Sequence, residues 1–260
     1  MTDWLAVCRE AVEDVRRVLD EMPLQADRSR VLARGEGGDD TTAIDAAAEA
    51  AILGHFEGLD VTVVSEEAGE RGDGRFRVVV DPIDGSLNAK RGIPFFSLSI
   101  AVADGPSMGD VFFGYVYDFG AGEEWTARRG EGAFLNGEPL GAERPHEQIE
   151  ILSFEATLTS LVAEKAGAMV GIAHRLRIMG SLAITLCHFA AGRVDAVCSL
   201  KAARSVDIAA AQLLVRELGL AIDLPEAPPF AAAPLDLVGR SRVVAAATPE
   251  LCARLFDALR

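Results

Sequence analysis

Residues 78–88 read VVVDPIDGSLN. The valine run is β-branched and reads as a strand, and it delivers Asp81 at its C-terminal end. Pro82 bars regular helix at that point and has no N–H to give to a ladder. Ile83 exposes a backbone carbonyl, Asp84 follows, and Gly85 lets the backbone come close to a ligand. Ser86 is placed to cap a helix through SLNA, and the free N–H groups of a helix start attract an anion such as phosphate. One short loop thus offers carboxylates to cations and N–H groups to an anion. That combination suits a metal-assisted phosphate site. It equally suits a capped turn with solvated acids, and the loop alone leaves both readings open.

Other acids extend the pattern. VTVVS (61–65) is a second strand, and it runs into Glu66 and Glu67. SVDIAAAQLLVRELG (205–219) sets Asp207 at the start of an almost wholly apolar helix. An acid there can simply complement the helix dipole. Acidic element ends gathered in one α/β chain are also what a hard cation needs, since Mg²⁺ prefers oxygen ligands in near-octahedral geometry. His55, His146, His174 and His188 show no ligand spacing, which argues against zinc.

The 260-residue chain carries a formal charge of −15, a field that repels nucleic acid and anionic lipid. Half of its residues are hydrophobic, so it is not a disordered chain. No apolar run reaches the length of a bilayer span. The N-terminal MTDWLAVCREAVEDVRRVLDEM lacks the basic start and cleavage site of a targeting peptide. It reads instead as an amphipathic helix with Trp4, Cys8, Ala11, Val15 and Leu19 on one face. Cys8, Cys187, Cys198 and Cys252 form no CxxC pair and sit in apolar contexts, as free thiols in a reducing cytoplasm do.

A helix is expected from DDTTAIDAAAEAAIL (39–53), capped by Thr41 or Thr42. RFRVVVD, FFSLSIAVAD, GDVFFGYVYDF and EEWTARR read as strands, and LNGEPL holds an Asn-Gly hairpin turn. The composition turns polar at GAERPHEQIE (141–150), which places a boundary between an α+β half at 1–145 and an α/β half at 146–260. The second half alternates: IEILSFEA, HRLRIMG, VDAVCSL and SRVVAAA as strands, with helices between and a last helix opened by Thr248 and Pro249. LPEAPPFAAAPLD (224–236) reads as a surface loop.

Four segments in order, SEEAG (65–69), DPIDGS (81–86), GEGAFLNG (130–137) and SVDIAAAQLLVRELG (205–219), resemble the motifs of the inositol monophosphatase family, within the Mg²⁺-dependent, Li⁺-sensitive phosphatase superfamily. GGDDTTAID, NAKRGIPFF and SVDIAAA are most similar to the archaeal-type branch that hydrolyses both inositol 1-phosphate and fructose 1,6-bisphosphate. The resemblance implies a layered α-β-α-β-α sandwich, an antiparallel sheet half followed by a mainly parallel one, a cytoplasmic homodimer, and two or three Mg²⁺ ions.

Carried over by motif, the resemblance implies that Glu67, Asp81 and the Ile83 carbonyl hold a first ion, and that Asp81, Asp84 and Asp207 hold a second. A weaker third shares Glu67 and waters. Ser86 and Asp45 orient the attacking water, and Asp84 with the N–H groups of Gly85 and Ser86 meets the phosphate. Lys201 and Arg204, in SLKAARSVD, are candidates for the sugar or a second phosphate, although that stretch is one residue shorter than in the archaeal branch. Arg175 and Arg177 are further candidates; Lys90 and Arg91 have no specific role, and Arg34 stands where the family often has lysine. Two other readings compete: a nucleotide-side phosphatase for 3′-phosphoadenosine phosphates or NADP⁺, and a non-catalytic regulatory relative.

Overall fold

The computed structural model describes residues 2–34, 40–155, 158–227 and 229–260. In chain order the first half comprises α1 (Trp4–Glu21), α2 (Gln25–Arg28), β1 (Val31–Arg34), β2 (Asp40–Thr42), α3 (Ala43–Leu53), β3 (Val61–Ser65), β4 (Gly69–Arg71), β5 (Phe76–Asp84) and α4 (Ser86–Arg91). It continues with β6 (Ser97–Ala103), β7 (Val111–Asp118), β8 (Glu123–Arg128), β9 (Gly132–Leu135) and β10 (Glu138–Pro139). The second half comprises β11 (Ile151–Glu155), α5 (Thr159–Lys165), β12 (Arg175–Arg177), α6 (Leu182–Ala190), β13 (Ala196–Ser199), α7 (Ser205–Ile208), α8 (Ala211–Glu217), β14 (Ala221–Asp223), β15 (Val244–Ala246) and α9 (Pro249–Ala258).

The first sheet has eight strands in the order β10-β9-β8-β7-β6-β5-β3-β4, antiparallel at every pairing but β3–β5. The second has five, in the order β12-β11-β13-β15-β14. Four of them run one way and β15 runs against them, so the expected mainly parallel sheet carries one reversed strand. On one face of the first sheet lie α1 and α3, whose Trp4, Cys8, Ala11, Val12, Val15, Ile44 and Ile52 are buried against Val78, Val80 and Ile100. Its other face meets α6 and α8, which also cover the second sheet; Val79, Trp125, Leu186, Leu214 and Val197 share this core. Beneath the second sheet α9 closes the stack, with Cys252 and Leu255 packed on Phe154 and Val244. The layers are therefore α-β-α-β-α, and the shared middle layer makes the two sheets one structure.

Two expectations are corrected. The helix foreseen over 205–219 breaks into α7 and α8 at Ala209–Ala210. At that break the Ala210 carbonyl presses on the sheet so closely that a Cβ on Gly114 would stand 2.5 Å from it. Residues 224–236 are not merely a surface loop, because Leu224, Ala233 and Leu235 are buried in the shared core. β14 adds an outer strand to the second sheet beside β15.

Candidate active site

The strand end of the opening motif is irregular in a useful way. Asp81 pairs with Ser99 and Asp84 with Ser97, so β5 spends three residues where β6 spends two. In a regular strand, residues three apart face opposite sides. The extra residue forms a bulge, at Pro82–Ile83, that brings both acids to one side. Pro82 is tolerated there because a bulge leaves its residue outside the ladder. Asp81 is 3% exposed and its Oδ1 accepts from the Ile83 N–H at 3.0 Å.

Gly85, not Ser86, caps α4. It has φ 92°, and a Cβ there would lie 3.0 Å from both the Gly180 and Phe95 carbonyls, so glycine is required on both counts. Ser86 becomes the first helical residue, and its hydroxyl donates to the Ile83 carbonyl at 2.9 Å. Asp84, 8% exposed, accepts at Oδ2 from the Ser181 hydroxyl at 2.5 Å and the Ala183 N–H at 2.7 Å. The start of α6 thus fixes it.

Glu66 and Glu67 sit in the turn after β3. Thr41 donates its hydroxyl to Glu67 Oε2. Asp207, in the first turn of α7, accepts at Oδ2 from the Arg204 N–H at 2.7 Å. Asp45 lies in the first turn of α3, where its Oδ2 accepts from the Thr42 hydroxyl at 2.5 Å in a capping box, so that of Thr41 and Thr42 it is Thr42 that caps the helix. Its Oδ1 is buried without a hydrogen-bond partner among the described residues. Lys90 Nζ stands 3.7 Å from Asp45 Oδ2, which gives that lysine a place beside the acid.

Burial raises the pKa of Asp81 well above the carboxylate range, and the charges of Glu66, Asp84 and Asp207 add to it. Burial likewise pushes Asp84 up to about 7, against the Ser181 hydrogen bond. It pushes Glu66 up to about 8 despite Arg204 beside it, and it raises Glu67 as well. So many desolvated acids in mutual repulsion demand positive charge, and every donor is a hard oxygen. That donor set fits Mg²⁺.

The expected cationic residues are distributed differently. Lys201 is exposed. Arg204 is ion-paired with Glu66 at 2.5 Å and with Asp207 at 3.3 Å, inside the carboxylate cluster. Arg175 is exposed and pairs with Glu150 at 2.5 Å, Arg177 is exposed, and so is Arg91. The Arg34 side chain lies outside the described residues.

Sequence reading missed the braces behind these acids. Glu49, 7% exposed, accepts from the Ser65 hydroxyl and from the N–H groups of Glu67 at 3.2 Å and Ala68 at 2.9 Å, so it sets the Glu66–Glu67 turn. Its signal was its place four residues after Asp45, on the same helix face. Glu155 accepts from Gly180 N–H at 3.0 Å and from the Thr185 hydroxyl at 2.7 Å, and so holds the turn that carries Ser181.

Among the described residues, the side chains close enough together to hold a metal ion are a different set, Asp118, Glu123 and His188. They are already engaged. Arg193 donates to both Glu123 oxygens at 2.7 Å and lies 3.3 Å from His188 Nε2, while Asp118 Oδ1 accepts from Gly120 N–H at 2.7 Å and Ala121 N–H at 3.1 Å.

An α-β-α-β-α sandwich with desolvated acids at the junction of its two sheets is the architecture of a sugar-phosphatase-type fold. The inositol monophosphatase family model matches residues 4–260, and the chain belongs to that family. It is 33% identical over 247 residues to a fructose-1,6-bisphosphatase/inositol-1-monophosphatase of Archaeoglobus fulgidus, covering 94% of this chain and 93% of that one. It is 36% identical over 199 residues to the Nus factor SuhB of Pasteurella multocida, covering 70% of each. The crystal structure of the MJ0109 gene product, an inositol monophosphatase-fructose 1,6-bisphosphatase, superposes with a TM-score of 0.86 at 26% identity, over 99% of this chain and 100% of that one. No helix among the described residues is long and apolar enough to cross a membrane.

Proposed function

We propose that this protein is a Mg²⁺-dependent phosphomonoesterase that hydrolyses inositol 1-phosphate, fructose 1,6-bisphosphate or both. The observation that carries the reading is the cluster of Glu66, Glu67, Asp81, Asp84 and Asp207, which burial and mutual repulsion leave short of positive charge. Glu67, Asp81 and the Ile83 carbonyl would hold one ion, and Asp81, Asp84 and Asp207 a second; a third would share Glu67. Bound there, Mg²⁺ supplies charge neutralisation of the phosphoryl group and acidifies water.

The chain's own groups do the positioning. Asp45 Oδ1, buried and without a hydrogen-bond partner among the described residues, is the acceptor for the attacking water, and its other oxygen is fixed by Thr42. Ser86, pinned to Ile83, shares that task. The N–H groups of Gly85 and Ser86 meet the phosphate oxygens at the start of α4, beside Asp84. Lys201, exposed on the approach to α7, is the candidate for a second phosphate or a sugar hydroxyl. Residues 1–145 thus give most of the ligands, and residues 146–260 give Asp207 and the substrate-side cations. Oxygen-donor positioning with little covalent work by the protein is the economy of phosphoryl transfer. We also infer a cytoplasmic homodimer, in keeping with four free, buried cysteines and with the family.

The test is phosphate release from inositol 1-phosphate and from fructose 1,6-bisphosphate, each with Mg²⁺ and with EDTA. Mg²⁺-dependent release from either is the expected result. No release from either by folded protein would overturn it and direct attention to 3′-phosphoadenosine phosphate, NADP⁺ and the regulatory reading.

A further inference from the structure

The acids of the site surround one guanidinium. Arg204 Nη1 is 2.5 Å from Glu66 Oε1 and Nη2 is 3.3 Å from Asp207 Oδ1. The three side chains are 14%, 14% and 16% exposed, so the contacts are screened little by water. The backbone of the same arginine donates to the other Asp207 oxygen at 2.7 Å, so Arg204 and Asp207 are tied together within one turn. Burial pulls the guanidinium's pKa down, but the charges of Asp207, Glu66 and Asp81 more than reverse this, and it stays charged. Glu66 belongs to the turn after β3 and Arg204 to the start of α7, so the fork also clasps the two halves of the molecule.

The geometry points to Arg204 as a built-in cation of the carboxylate cluster, one that competes with a divalent ion for Asp207 while its other prong holds Glu66. This inference rests on the reading of the cluster as a metal site. An ion on a carboxylate oxygen sits at about 2.1 Å and asks for near-octahedral room. The Asp207 oxygens are both engaged by Arg204, one by the backbone and one by the fork. An ion arriving on Asp207 therefore displaces the fork or binds beside a positive charge a few ångströms away, and either route weakens it. The arginine also supplies positive charge to the cluster at low Mg²⁺, so it holds the acids together while setting the concentration at which the ion takes over.

The experiment is calorimetric titration of Mg²⁺ into EDTA-stripped wild type, R204M and R204K, with melting temperatures measured in EDTA and in Mg²⁺. R204M should bind Mg²⁺ about tenfold tighter or more, melt lower than wild type in EDTA, and gain more from added Mg²⁺. R204K keeps the charge but loses the planar fork that spans two carboxylates, and should fall between. R193M makes the same charge change in the Asp118–Glu123–His188 cluster and should leave Mg²⁺ affinity within about twofold. Unchanged or weaker binding by R204M would overturn the inference; so would tightening by R193M equal to that by R204M, which would reduce the effect to net charge. Should R204M fail to fold, R204K decides by the same comparison. A purely structural arginine would lower both melting temperatures equally and leave affinity alone. Wild type that binds no Mg²⁺ would sink the metal-site reading itself, a result distinct from a failure of the arginine's role.

Discussion

Two clusters in this molecule each place an arginine among acids and differ in what the arginine leaves over. At the β7–β8 turn, Arg193 meets Glu123 with both prongs and lowers its pKa, while Asp118, raised by burial, is met by two backbone N–H groups. At the junction of the sheets, Arg204 is shared between Glu66 and Asp207, while Asp81 and Asp84 stay buried and raised. Proximity of acids alone would single out the first cluster. Charge balance singles out the second. A site built for added cations is recognised by acids whose positive partners fall short, because desolvated carboxylates are costly without them.

The strongest way to break this comparison is Asp84→Asn. The amide keeps an oxygen for the Ser181 and Ala183 donors but removes one charge from the cluster. Turnover should fall by about 10³-fold or more, with unchanged circular dichroism and an EDTA melting temperature no lower than wild type. Turnover within about tenfold of wild type would remove Asp84 from the metal set.

His188 in the one cluster should also answer pH with the opposite sign to Asp84 and Glu66 in the other. Asp84 and Glu66 hold their protons more tightly folded than unfolded, so in EDTA their stability is whole below their usual range and is lost as pH rises to about 7 and about 8. His188 behaves the other way. Burial, then the charge of Arg193, lowers it from 6.5 to about 4, so its contribution is present above 6.5 and lost as pH falls toward 4. That shift is worth up to about 3 kcal/mol. In EDTA, His188→Gln should turn the melting curve into one that declines steadily from about pH 4.5 to about 8. Asp84→Asn should steepen the rise between those lower values and about 6.5. Identical pH profiles for the two variants would show that the clusters do not differ in this way.

Much of this arrangement was legible in the sequence, and the remainder has identifiable causes. Strands from β-branched runs, the Thr42 cap and the Asn136–Gly137 hairpin depend on neighbours in the chain, and these formed where expected. The carboxylates lie at element ends, so their motifs announced them. Glu49, Glu155 and Ser181 escaped notice because each acts through partners distant in sequence: Ser181 is 97 residues from Asp84. The helix break at Ala209–Ala210 escaped for a related reason, since it depends on how closely Ala210 approaches Gly114. Nothing local to Arg204 says that a turn more than a hundred residues earlier will present Glu66 to it.

The smallest expected effect sharpens the comparison from its balanced side. Glu123→Gln leaves the shape of the Arg193 contact and removes its charge. The arginine is 38% exposed, so solvent screening reduces what the pair contributes, to about 1 kcal/mol or less. Arg193 keeps its place over the Trp125 ring, its Cζ 5.1 Å from the ring centroid, which limits the loss further. Melting should drop slightly, and Mg²⁺ affinity and turnover should stay within about twofold of wild type. A marked change in Mg²⁺ dependence would mean that this cluster, despite its guanidinium, takes part in holding an ion, and the rule that charge balance separates the two regions would fail for this fold.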